Sequence, residues 1–263
     1  MVVILKIKIL YFSLFALPLV HSGHVLAKRF HSKKESKHAT YEPVHATHLS
    51  QKKRAFIDFL YPYIVQANVE IKKEREQLLR LHSSYVNHEA WSDSERNWLV
   101  RLQKSYGMRD FQFDSSRDWV ELLNRVDIVP APLAIAQAAT ESAWGASRFA
   151  VEGNNFFGQW CFTFSCGMIP RNRSPGARHE VKRFASAYES VLSYIRNLNS
   201  HQAYHLVRTI RADLRNQGKD LSGNVLALGL GKYSSRGQAY IREVQYLIKH
   251  NQLEKYVSLP YPA

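Results

Sequence analysis

Carboxylates are scarce in this chain. Its 263 residues carry 22 Asp and Glu against 36 Lys and Arg, a formal charge of +14 with histidine neutral. A surface of that sign seeks a polyanion. Cysteine is scarcer still, with only Cys161 and Cys166 present. In an oxidising compartment these two would pair across a short loop. The other reading is two metal ligands, but no Cys or His pair of matching spacing stands near them, so the disulfide is preferred and no metal is expected. No motif calls for a cofactor. Long apolar runs are nearly missing: the main one, Ile9 to Val20, is short for a bilayer span, and none long enough comes after it. No fixed repeat period appears, which excludes a solenoid.

What is present begins with a leader. Residues 1–27 place Lys6 and Lys8 before the apolar run and end on Val25-Leu26-Ala27, with a small residue where a cut would fall. That order reads as an export signal, with an uncleaved anchor as the alternative. The chain is then expected in the periplasm or secreted, without an integral span once the leader is removed. Losing the leader takes away only Lys6 and Lys8, so the remainder stays basic. Inside a cell the default polyanion would be nucleic acid. Outside the cytoplasm it is carboxylate-bearing wall glycan or a membrane surface, and no groove-reading motif is present, so no nucleic-acid partner is expected.

Residues 28–53 are crowded with Lys, Arg, His and Ser and lack an apolar period, as in a solvated linker. His31, His38, His45 and His48 invite a metal reading, but they form no helical i, i+4 pair. Residues 54–128 read as helices packing on the last domain of the chain, over 129–255. Phe56, Phe59, Leu60, Tyr63, Ile64, Ala67 and Ile71 recur at helical spacing, continuing through Leu78, Leu79 and Leu81, with Pro62 as a point of bending. Ser92 and Glu95 form a capping box before Trp98, Leu99 and Leu102. Trp119, Leu122, Leu123 and Val126 mark a third helix. Pro132 suits the first turn of a fourth, running roughly from Pro132 to Trp144. Between Asn155 and Phe184 short apolar pieces separated by Gly, Pro, Ser and Asn predict a small β-hairpin lobe. Helical spacing returns over 190–198 and 240–248, and a tail occupies 256–263. The fold class is α+β, mainly α.

Glu141 is the one ionisable group in the fourth helix, which is otherwise small or apolar. A carboxylate in such surroundings is disfavoured as the anion, so its pKa should rise and the group stay protonated near neutrality, as a general acid requires. The plain alternative is a Glu turned to solvent at the helix end. Trp144, Asn155, Phe157, Gln159 and Trp160 come soon after it, with Gln137 one helical turn before the Glu. Flat aromatic faces and amides of this kind suit sugar rings and N-acetyl groups, although such aromatics are also ordinary core material.

Ala138-Ala139-Thr140-Glu141-Ser142-Ala143-Trp144-Gly145 and then Asn155-Phe156-Phe157-Gly158 resemble the signature of glycoside hydrolase family 73, the peptidoglycan N-acetylglucosaminidases, with the layout of its Bax-like branch. Phe184 to Val191 and Tyr233 to Tyr240 resemble later family segments, so the resemblance covers about 130–253. It implies a lysozyme-like two-lobed domain, Glu141 as general acid, and Tyr233 lining the cleft. Tyr240 is a further contact candidate, with helix packing as its default role. Glu180, in the predicted hairpin, is the candidate second acid, against a solvated strand carboxylate; Glu152 ranks lower. Many members have Tyr-Ala-Thr-Asp where this chain has Tyr233-Ser234-Ser235-Arg236. The substrate implied is peptidoglycan glycan, acted on by a monomer. The rival readings are a lytic transglycosylase, which resembles its relatives in a Gly-Leu-Met-Gln motif not found here, and a non-catalytic glycan-binding envelope protein.

Overall fold

A computed structural model describes residues 50–171, 173 and 176–257 of the chain; the leader, nearly all of the basic linker and the end of the tail lie outside them. Helix α1 spans Gln51–Val86, and its first turn is capped by the Ser50 side chain accepting from the Lys53 amide. The helix therefore starts a few residues earlier than the apolar period indicates, because a polar first turn carries no periodic signal. Pro62 lies inside α1 without ending it.

Along α1 the buried side chains divide between two cores. Ile57, Leu60, Ile64 and Ile71 belong to the larger one, shared with helices from the second half of the chain. Leu78 and Leu81 belong to the smaller, built with α2 (Asp93–Ser105) and α3 (Ser116–Arg125) around a fully buried Trp119. The capping box of α2 forms as expected: Ser92 accepts from the Glu95 amide, and Glu95 accepts from the Ser92 amide at 2.8 Å. Such caps contribute about 1 kcal/mol each.

Helix α4 covers Ala131–Ser142, with Pro132 in its first turn and ten of its twelve residues buried. It ends before Trp144: Ala143 and Trp144 both have left-handed backbone, at φ 51° and 58°. A short α5 (Arg148–Gly153) leads to the β lobe. There β1 (Trp160–Cys161) and β2 (Gly167–Met168) each pair antiparallel with β3 (Glu180–Lys182), giving a three-stranded sheet with β3 in the centre. The lobe is thus a short crossover sheet instead of a single hairpin, and Phe156 to Gln159 form a loop before it.

The remaining helices are α6 (Ala187–Ser200), α7 (His205–Asn216), α8 (Gly223–Leu226) and α9 (Gln238–His250). Helix α7 is an addition to the helices expected from the sequence: Val207, Ile210 and Leu214 recur there at helical spacing and pack on the larger core. Its fully buried side chains are Val207, Arg208 and Arg211, so two arginines interrupt the apolar stripe on its inner face. Arg211 donates to the backbone oxygens of Asn124, Asp127 and Ile128 at 2.7–3.1 Å, and Arg75 donates to those of Leu123 and Val126. Cations thus satisfy the open carbonyls at the end of α3, where the helix dipole is negative. Asp127 balances them, accepting from Arg215 at 2.9 and 3.1 Å.

Candidate active site

Glu141 sits in the last turn of α4, half-buried. Its Oε1 accepts from the Tyr240 hydroxyl at 2.8 Å. The Tyr240 oxygen in turn accepts from Gln137 Nε2 at 3.1 Å, and Gln137 Oε1 accepts from the Tyr194 hydroxyl at 2.7 Å. Because an amide nitrogen only donates, the direction of every bond in this chain is fixed. The Tyr240 proton must point at Oε1, which leaves Oε2 as the carboxyl oxygen available to carry a proton.

Oε2 faces Gly158. A Cβ placed there would lie 3.3 Å from it, and the glycine has φ +64°. A side chain would be strained and would crowd the acid. The loop that carries Gly158 is held on all sides. Asn155 accepts from the Gln159 amide at 3.0 Å and donates to the Gln159 and Lys182 oxygens at 2.8 Å. Phe157 stacks on Tyr194 at 3.9 Å, and its carbonyl accepts from the Tyr233 hydroxyl at 3.1 Å. Tyr233 stacks on Tyr240 at 5.4 Å and lies against Tyr204 at 5.6 Å, a column of rings beside the acid.

Burial raises the Glu141 pKa. The Tyr240 hydrogen bond and the Arg236 charge oppose that rise, and the Glu243 charge adds to it. Arg236 and Glu243 are themselves ion-paired, and Arg236 also lies over the Tyr240 ring. The result is a carboxyl group that keeps its proton to higher pH than an ordinary Glu, next to a glycine without a side chain.

A family model described as mannosyl-glycoprotein endo-beta-N-acetylglucosaminidase matches residues 116–253. Among curated proteins, Protein bax of Escherichia coli (strain K12) is 30% identical over 201 residues, covering 76% of this chain and 70% of that one. The chain belongs to the glucosaminidase family, in its Bax-like branch. No solved structure matches it. Membership gives the domain a glycosidase character and a glycan substrate class. Among the described residues no helix is long and apolar enough to cross a membrane.

In the glucosaminidase motif around the acid, Ser142 Oγ donates to the Ala138 carbonyl at 2.6 Å and accepts from the Gly145 amide at 2.8 Å, pinning the left-handed turn. Gly145 is required there, since a Cβ would lie 2.8 Å from the Phe56 ring of α1. Trp144 turns to α1, edge-on to Phe56 at 5.8 Å and under Lys53 at 4.9 Å, beside a groove of about 400 Å³ that does not include Glu141.

Several residues expected to touch sugar stand behind the site. Gln137 and Tyr240 are fully buried and belong to the bonded chain behind the acid; Asn155 and Phe157 are buried in the loop frame. Gln159 is bonded to α6 through the Ser190 carbonyl and the Ser193 hydroxyl, at 3.2 and 2.6 Å. Amide and aromatic types suit a sugar, but here their polar atoms are used to fix loop and acid. Trp160 keeps an exposed ring, stacked on His179 at 4.2 Å. Tyr194, Tyr204 and Glu243 join the site without any sequence signal of that role, whereas Arg236 is visible in the sequence only as the departure from the family's Asp. Tyr194 lies in an apolar helical period that gives no sign of where its hydroxyl points.

Glu180 is buried, not solvated, and its two oxygens accept from the Ser165 and Gly167 amides at 3.2 and 2.7 Å. It thereby holds the loop closed by the Cys161–Cys166 disulfide. These three side chains come close enough together to suggest a metal site, but both sulfurs are joined to each other and offer no thiolate.

Proposed function

We propose that the protein is an exported endo-β-N-acetylglucosaminidase that cleaves β-1,4 linkages of N-acetylglucosamine in peptidoglycan, with Glu141 as general acid. The observation that supports this reading is the partly buried Glu141 carboxyl group, held by Tyr240 through one oxygen and facing the side-chain-free Gly158 with the other. The acid would donate its proton to the glycosidic oxygen as the C1–O bond breaks. Glu180, engaged by two loop amides, is assigned a positioning role in the β lobe. The neighbouring acetamido oxygen of the substrate would then close on C1, and water would open that ring while returning a proton to Glu141. Tyr233 would line the cleft, and the exposed Trp160 ring is the candidate to stack on a sugar.

A single buried acid also serves a lytic transglycosylase, which the products separate. Digestion of peptidoglycan followed by mass spectrometry should show reducing N-acetylglucosamine ends, and Glu141→Gln should lower their release by roughly 10²–10⁴-fold while sacculus binding persists. Anhydromuramyl ends would replace this reading with the transglycosylase. Binding without any release by the wild type would replace it with a glycan-binding module.

A further inference from the structure

The β lobe ends in a feature that the acid and its frame do not use. Residues 162–166 cross from β1 to β2 over the central strand, tied by the disulfide and by Glu180. This small, doubly fastened loop holds Phe162 and Phe164 in water at 74% and 94% exposure. Ile169, just past β2, is 57% exposed. Single exposed apolar residues are ordinary on protein surfaces, but neighbouring large ones held out on a braced loop mark an interaction surface.

Charge identifies the partner. From Trp160 to Phe184 the chain has five Lys and Arg (Arg171, Arg173, Arg178, Lys182 and Arg183) and one carboxylate, Glu180, which is buried. Lys182 pairs across from Gly167 at one end of the loop, its ammonium over the Phe184 ring, and Arg178 lies two residues before Glu180, which pairs with Cys161 at the other; Arg183 is tied to the Glu152 carbonyl. An aromatic tip between cations matches an anionic lipid surface, with rings entering the acyl boundary and cations staying among headgroup phosphates. A glycan contact is less well served: sugar recognition combines a ring face with converging polar side chains, and between the two cysteines Thr163 and Ser165 are the only polar residues.

We infer that the disulfide-closed loop around Phe162 and Phe164 is a peripheral membrane contact for anionic lipid. The inference is independent of the glycosidase reading, because its test requires no turnover. Residues 28–263, which retain every described element, would be sedimented with vesicles of phosphatidylglycerol and phosphatidylcholine, and with phosphatidylcholine alone, at ~0.15 M salt. The wild type should bind the anionic vesicles, and the double variant Phe162→Ser, Phe164→Ser should bind at least about tenfold more weakly with an unchanged circular dichroism spectrum. The variant Phe164→Trp should show a blue-shifted emission on adding the same vesicles. Equal binding by wild type and double variant, or no spectral shift, overturns the inference. Loss of sacculus affinity with vesicle binding intact also overturns it, reassigning the loop to glycan.

Discussion

At the scale of single residues, the Glu141 carboxyl owes its state to groups that pull in opposite directions. Burial raises its pKa, and the Tyr240 hydroxyl, which bonds the anion as well as the acid, lowers it. Tyr240→Phe should therefore raise the Glu141 pKa further and move the alkaline limb of the pH–rate profile to higher pH. The rate at the optimum should fall by about tenfold as the carboxyl loses its orientation. A rate loss with an unmoved limb would mean that Tyr240 only packs. The acid itself is legible in the sequence as the one ionisable group of an apolar helix. Its supports are not, since Gln137, Tyr194 and Tyr240 come from three separate helices and meet only in the fold.

At the scale of elements, α7 shows how buried charge can obscure a helical period, since Arg208 and Arg211 break up the stripe of Val207, Ile210 and Leu214. Its inward face combines that apolar packing with charge, Arg208 and Arg211 being almost fully buried. Burial pushes the Arg211 pKa down to about 10, still leaving it a cation at neutral pH. Burial would raise the pKa of Asp127, but the Arg215 hydrogen bond and the Arg211 and Arg75 charges hold it below the usual value. A native pKa lower than the unfolded one stabilises the fold above the unfolded value of about 3.9, and the gain is lost as pH falls through the native value. Asp127→Asn should thus cost roughly 3–5 kcal/mol in urea unfolding at pH 7, because it leaves buried arginines without their anion. The deficit should shrink progressively as pH falls from about 3.9 toward the lower native value of Asp127. The β lobe is hard to read in the sequence for a different reason: Phe156 and Phe157 of the aromatic run pack into the core from a loop, Trp160 opens β1 with its ring exposed, and the strand pairing is only two or three residues long.

At the scale of the molecule, the match to the glucosaminidase family begins at Ser116, yet the described structure has no boundary there that separates the site from the helices before it. Helix α1 supplies Phe56, Ile57, Leu60, Ile64 and Ile71 to the larger core, and Phe56 is the ring on which the Gly145 turn closes beside the acid. Each of these side chains contributes about 1.5–3 kcal/mol on burial, and together they rival the whole stability of a typical domain. The larger core is therefore incomplete without α1. A chain beginning at Ser116 should fail to give the cooperative thermal transition of the chain beginning at residue 28, and limited proteolysis should degrade it within the time the longer chain survives. If the shorter chain instead melts cooperatively and retains Glu141-dependent glycan release, α1 is an accessory to the site and not part of its foundation.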